Sequence, residues 1–515
     1  MKEILYIQAG SLANYVGTHF WNTQESYFTY GDDEDPIVSH DISFREGLTD
    51  KREPILCPRL LVFDRKTNFG TLAKNTALFE TIDKPDDAEI TSPNGDVVEY
   101  RQDPVPKSKY QDRMDDEGAG DSENTEADDA DPDIRFWSDF NRVYYIPRTV
   151  QRLADVPEWE DVEGNWAHGQ EIFQRYDEDT ELMDESLRPF VEECDSLQGI
   201  QVMHDISTFG SFTDAFLTAF RDEYTKLSSL SFPLLSDAIP GEIDADDVLR
   251  KALNDAMCLR NLNELSSMNA PIQSPSTWTD GSWDAELDLN LQSLYHTSAV
   301  LSAHIESATL PLRMKGSGED LSSLCAQLNW QGTTRFSHLS GVFPFDSASQ
   351  LEETFDARVY DFSNLSSVKV KWSAYTDVSR GFTAADIQAY DTWRNGASSN
   401  NPYLSAKHAP AYALPTSYPR FFKSPPPPRR GIHAAEFPTV KALSSLSIGA
   451  SGTRSLFSAY ATLAEDCVRR RRPDAGFDLD DLKELGNDLW TIHDGFADDA
   501  QMWEAGEDDV GEDEE

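Results

Sequence analysis

The sequence predicts an α/β protein whose first domain is built like a nucleotide-binding fold, and three observations carry this. Residues Glu3 to Gln8 (EILYIQ) form a short apolar run with β-branched and aromatic members, the pattern of a buried strand. Ala9-Gly10-Ser11 turns the chain, and a helical pattern continues through Trp21 with Ser11 placed as its N-cap. Two later apolar runs, Arg59 to Asp64 (RLLVFD) and Leu197 to His204 (LQGIQVMH), read as further strands. Strand, small-residue turn and helix in this order open a doubly wound parallel sheet.

The remaining elements follow in order. Asp83 to Arg135 has no hydrophobic periodicity and is rich in Asp, Glu, Pro, Ser and Gly, so it reads as an acidic, mostly disordered insert. Order returns at Phe136-Trp137, and Arg148 to Leu153 reads as a helix. Glu171 to Glu193 reads as one or two amphipathic helices with acidic outer faces. A helix with apolar residues near 3.6 spacing runs from Thr213 to Leu227, and Ser231 to Leu235 begins another strand. Leu287 to Leu312 is rich in Ala, Leu and Ser, which suits a long central helix buried on several sides. Asn400 to Arg430 reads as a loop ending in the stiff Pro425–Pro428 stretch. Ser444 to Ile448 reads as a strand, and Arg454 to Arg472 and Leu479 to Trp490 as helices. The expected organisation is an α/β domain over 1–285, with the insert at 83–135 and a distinct segment at 136–155. A central helix over 286–312 and an α+β second domain over 313–445 follow. A C-terminal strand and helices occupy 446–497, and an acidic disordered tail 498–515.

The 92 acidic residues against 44 basic ones leave a formal net charge of −48. Such a chain repels phosphate backbones and anionic lipid, which disfavours nucleic acid and non-specific membrane binding. The charge is concentrated: 86–133 holds 17 acidic and 4 basic residues, and 498–515 holds 10 acidic and no basic ones. Five cysteines with no CxxC fit a reducing compartment rather than a disulfide framework or a zinc site. No apolar run reaches the length of a membrane span, and the N-terminus reads as a strand rather than a signal or cleavable presequence. HExxH, GxSxG and GxxxxGK[ST] are all missing from the sequence, so metalloprotease, hydrolase and P-loop chemistry find no support.

Several blocks resemble tubulins in the right order. MKEILYIQAGSLANYVGTHFW resembles the tubulin start, and Cys57 to Asp64 resembles the next strand with its acidic loop. Gly164-Asn165-Trp166-Ala167-His168-Gly169 resembles the NNWAKG segment. Cys194 to Gln201 resembles the strand before the glycine-rich phosphate loop, and Ser445 to Ser451 the last strand and its turn. The insert and Phe136 to Leu153 are not tubulin-like. That combination resembles the Misato family in its fungal form: tubulin/FtsZ-related proteins with an extra myosin-like segment.

The resemblance implies nucleotide contacts at Gly10, Ser11, Asp64, Asn165, Gly210 and Asn261, and GTP as the candidate cofactor. The motifs are nevertheless worn. Ser11, Leu12 and Ala13 replace a polar pair and a glycine, and Lys66 stands where a metal-side carboxylate is expected. The loop that is GGGTGSG in tubulins reads Ser207-Thr208-Phe209-Gly210-Ser211-Phe212-Thr213, with one glycine left and two phenylalanines added. Tyr295 falls at the second guanine-reading position, where a core aromatic is the favoured reading. Ser323 takes the hydrolytic carboxylate's place in Gly318 to Ser323. A serine with no adjacent base cannot activate water, so no catalytic residue and no metal ligand are expected.

The resulting expectation is a non-enzymatic tubulin-like protein. The resemblance implies a role in mitochondrial distribution, morphology and partitioning, and in inheritance of mitochondrial DNA, through protein–protein contacts. Its partners would be proteins of the mitochondrial surface or the cytoskeleton. It would sit at the cytosolic face or outer membrane of mitochondria, with a cytoplasmic pool. The alternatives are a GTP-binding switch with little or no hydrolysis and a microtubule or tubulin assembly factor.

Overall fold

The computed structural model describes residues 2–28, 36–48, 54–70, 134–154, 165–243, 245–332, 335–345, 357–364, 372–397, 403–424, 437–471 and 477–504, with isolated positions between them. Most of the insert, the last eleven residues and nearly all of Pro425–Pro428 lie outside the described residues.

The first strand, β1 (Glu3–Ala9), is buried along its whole length. Ile4 and Tyr6 face one apolar core, and Leu5, Ile7 and Ala9 face another. A strand covered on both faces must be apolar throughout, which is why EILYIQ shows no alternation. After a side hairpin of β2 (Phe44–Leu48) and β3 (Pro54–Pro58), the chain lays β4 (Leu60–Arg65) parallel to β1. The strands β5 (Val150–Leu153), β6 (Leu197–Asp205), β7 (Ser228–Leu234) and β8 (Met268–Asn269) complete a parallel sheet in the order β5-β4-β1-β6-β7-β8.

Helix α1 (Ser11–Glu25) packs on one face of this sheet. The opposite face carries α2 (Trp166–Thr180), α3 (Arg188–Glu192), α4 (Ile206–Glu223) and α5 (Asp246–Leu265). The central helix α6 (Leu294–Thr309) lies on the α1 side and is buried from Tyr295 to Thr309. Beyond it come α7 (Leu321–Leu328), β9 (His338–Val342), β10 (Tyr360–Asp361), β11 (Trp372–Arg380), α8 (Ala384–Ala397) and β12 (Tyr403–Ala409). A small pair, β13 (Tyr412–Ala413) and β14 (Thr439–Val440), precedes β15 (Ala442–Gly449). The second sheet has the order β10-β9-β15-β11-β12, antiparallel except for the β11–β12 pair that α8 connects. Strand β15 thus spans position 445/446 as one element of this sheet. Helices α9 (Ala450–Arg470) and α10 (Leu479–Glu504) return to pack beneath the first sheet.

The two sheets are joined through a buried carboxylate. Glu306 of α6 accepts from Arg380 of β11 at 2.7 Å, from Gln24 of α1 at 2.9 Å and from Tyr27 at 3.1 Å, with Arg313 at 3.4 Å. An unpaired charge there would cost several kcal/mol, so these partners fix α1, α6 and β11 together.

The fold corrects several sequence expectations. Residues 148–153 are not a helix: a 3-10 turn at Pro147–Thr149 leads into β5, because pairing along β4 outweighs local helix propensity. The N-cap of α1 is Gly10 rather than Ser11, which is the first residue of the helix. The expected loop 400–430 contains β12 and β13. The central helix begins at Leu294, seven residues later than its composition suggested.

Candidate functional site

In an open parallel sheet, ligands bind outside the carboxyl ends of the strands, where the strand order reverses. Here that place lies between β1 and β6, which feed α1 and α4 on opposite faces of the sheet. The two turns are in contact. A Cβ built on Gly10 would lie 2.5 Å from Asp205 Cβ and 3.2 Å from Thr208 Oγ1, and Gly10 has φ +100°. Glycine is therefore required by the close approach of the turns and by its own backbone conformation. The Gly10 amide donates to Phe63 O at 3.1 Å and so lies within the β1–β4 network.

The segment read as a degraded phosphate loop is helix. Asp205 closes β6 and caps α4, its carboxylate accepting from Ser207 N at 3.2 Å, and the helix begins at Ile206. This corrects the expected start at Thr213 by seven residues. Phe209 and Phe212 cause the difference: both are buried and pack against each other at 5.5 Å, with Phe212 also meeting Phe63 and Phe173. Helical spacing places those two rings in the core, whereas a glycine-rich loop has no side chains to anchor it. Gly210 stands in the second turn, where the helical ladder takes its amide; a Cβ there would meet Ile206 at 2.9 Å and Trp166 at 3.6 Å. A carboxylate thus occupies the helix end that would otherwise attract an anion.

Asp64 is fully buried at the end of β4 and accepts four hydrogen bonds. Asn68 Nδ2 (2.7 Å) and Arg65 N (2.8 Å) reach Oδ1, and Asn14 Nδ2 (2.9 Å) and Trp137 Nε1 (3.0 Å) reach Oδ2. Burial pushes its pKa up, against the opposing effect of those four donors. Trp137 belongs to the segment after the insert, and its ring packs on Phe69 at 5.3 Å. Three residues on, Phe140 stacks among Tyr15 (5.6 Å), His19 (4.5 Å) and Tyr295 (4.9 Å). Rings of this segment therefore fill the space between α1, the end of β4 and the start of α6. His19 is fully buried and its pKa is lowered to about 3 by burial, so it stands neutral against Tyr295 O at 3.1 Å.

The other expected site residues are dispersed. Asn165 caps α2, its side chain accepting from His168 N at 3.4 Å. Asn261 lies in α5 and donates to Asp214 of α4 at 2.9 Å, where Gln170 of α2 also donates at 3.1 Å. That cluster is on the α2–α4–α5 side, across the sheet from Asp64's partner Trp137 and from Tyr295. Gly10, Ser11 and Asp64 are gathered at the carboxyl end of the sheet; Asn261 is not brought to them. Lys66 is exposed at the surface. Tyr295 is a buried core aromatic whose hydroxyl donates to Ser417 O at 2.7 Å. Ser323 completes a capping box with Asp320 at the start of α7. Asp320 is also bonded by Lys2, which with Ser323 holds its carboxyl below the usual range. Sequence reasoning missed Asp205, Asn22 and Phe140. Asp205 alone left a signal, an acidic residue directly before a strongly amphipathic helix.

A parallel sheet followed by a central helix and a second mixed sheet defines a tubulin-like protein. Residues 2–116 match the Misato segment II tubulin-like domain, and residues 127–314 match a tubulin domain. The chain is 29% identical to protein dml-1 of Neurospora crassa over the full length of both. It is 34% identical to protein DML1 of Phaeosphaeria nodorum over 62% of this chain and 60% of that one. It is 31% identical to protein dml1 of Schizosaccharomyces pombe over 62% of this chain and 67% of that one. This chain belongs to the Misato family.

Proposed function

We propose that this chain is a non-enzymatic, tubulin-like protein that acts by binding other proteins in mitochondrial distribution, morphology and partitioning, and in inheritance of mitochondrial DNA. The cellular role comes from its family. The non-enzymatic half rests on one observation: the reversal point of the sheet is closed by Gly10 against Asp205, and α4 starts where a phosphate loop would run. A carboxylate at that helix end repels a triphosphate, and the saturated Asp64 has no lone pair directed at a hydrated magnesium ion. The body acts as a scaffold at the cytosolic face of mitochondria, reached through a protein partner, because its net charge of −48 opposes unassisted contact with anionic lipid. Among the described residues no helix is long and apolar enough to cross a membrane.

Two measurements test the reading. Calorimetry of the full chain with millimolar GTP and Mg²⁺ is expected to give no guanine-specific heat, for the wild type and for Asn261→Ala alike. A GTP signal that Asn261→Ala abolishes would restore the switch reading. In cells depleted of the protein, mitochondria and their DNA are expected to segregate unequally, with rescue by both forms. Normal segregation after depletion would remove the mitochondrial role.

A further inference from the structure

Phe140 and its neighbours touch both domains at once. Asn22 of α1 sits at the centre: its Nδ2 donates to Phe140 O (2.8 Å) and to Ser417 Oγ (2.9 Å), and its Oδ1 accepts from Arg142 N (3.0 Å). Arg142 Nη1 donates to Thr416 Oγ1 at 3.3 Å. Thr416 and Ser417 follow β13 and belong to the second domain. The rings continue the same connection. Phe140 meets His19 and Tyr295, His19 meets Tyr418 at 5.6 Å, and Tyr418 OH donates to Ala299 O of α6 at 3.0 Å. One short segment thus touches α1, the first turn of the central helix and the loop after β13.

We infer that residues 137–142 are a built-in ligand: an internal latch that sets the angle between the parallel-sheet domain and the second domain. A molecule that binds one arrangement of two domains better than another shifts the equilibrium toward it. In this chain the occupant is covalent, so its local concentration is fixed and the preferred domain arrangement needs no diffusible ligand. The division of labour is physical. Trp137 stacks on Phe69 and donates to Asp64, both first-domain groups. Phe140 reaches the first turn of α6, and Arg142 reaches Thr416 of the second domain. The Glu306 ion network holds the far end of α6, so the two joints sit near opposite ends of the central helix. Loss of the latch should loosen the Tyr295 end while the Glu306 end stays closed.

The experiment is hydrogen–deuterium exchange on the full chain, comparing Phe140→Ala with Phe173→Ala. Phe173 is an equally buried ring on the opposite face, packed on Phe212 and Phe216. Phe140→Ala is expected to speed exchange at 294–299 and 412–418 by about tenfold or more relative to 302–309. Phe173→Ala should leave that ratio unchanged. Equal acceleration of all three segments in both variants, or no change at 412–418 in Phe140→Ala, overturns the inference. If Phe140→Ala does not fold, Phe140→Leu is compared in the same way, with the same direction expected.

Discussion

Asp255 offers a quantitative test of how the two helical layers are joined. It lies in α5, fully buried between the turn after β7 and α9. Its carboxylate accepts from Ser236 N (3.1 Å), Ser236 Oγ (2.6 Å) and Tyr460 OH (3.2 Å). Burial raises its pKa to about 7 from an ordinary 3.8, against the lowering effect of those donors. The folded chain therefore keeps a proton that the unfolded chain loses. This contribution is fully present below the unfolded value and is lost as pH rises toward the folded value. The difference between 3.8 and about 7 corresponds to about 4 kcal/mol, lost progressively across that window. Asp255→Asn keeps an acceptor for Ser236 and an amide facing Tyr460, and it has no charge to desolvate. Denaturant unfolding of the wild type and the variant, run side by side from pH 4 to pH 8, isolates the effect, because the repulsion among the many other acidic groups is common to both. The variant's advantage should be near zero at pH 4 and grow to about 4 kcal/mol by pH 8. A difference that stays flat with pH, or that shrinks toward pH 8, would refute the argument.

Two further outcomes are expected. Trp137→Phe keeps a ring against Phe69 but removes the indole donor to a fully buried carboxylate, so it should cost about 1–3 kcal/mol in equilibrium unfolding. A cost that vanishes would mean that Asp64 finds another donor. Gly10→Ala adds a Cβ 2.5 Å from Asp205 Cβ in a backbone conformation with φ +100°, which should cost about 1–3 kcal/mol and lower the melting temperature. A neutral result would show that the two turns separate easily, contrary to the closed switch point.

The central strands β1, β4 and β6 of the first sheet were legible because they are buried on both faces, whereas the edge strand β5 was not. Apolar content then runs unbroken, as in EILYIQ and LLVFD, and no tertiary knowledge is needed to find it. The tubulin-like class was legible from the resemblance and order of the short motifs. Element boundaries were less so. The spacing of Phe209, Phe212 and Phe216 fits a helix that starts at Ile206, but the glycine and serines between them read equally well as a loop. Only the packing of those rings on Phe63 and Phe173 decides between the two.

What the sequence determined by itself is the α/β order, from residue types at fixed spacing, and the tubulin-like family, from the resemblance of its ordered motifs. What the tertiary structure decided is what fills the carboxyl end of the first sheet. No local pattern predicts that Trp137 will reach Asp64 73 positions away, or that Asn22 will join Phe140 to Ser417. The Asn22–Ser417 contact depends on the second sheet closing over α1 and α6. A hydrogen bond between residues hundreds of positions apart leaves no periodicity in the chain, because its geometry exists only after the two domains have packed.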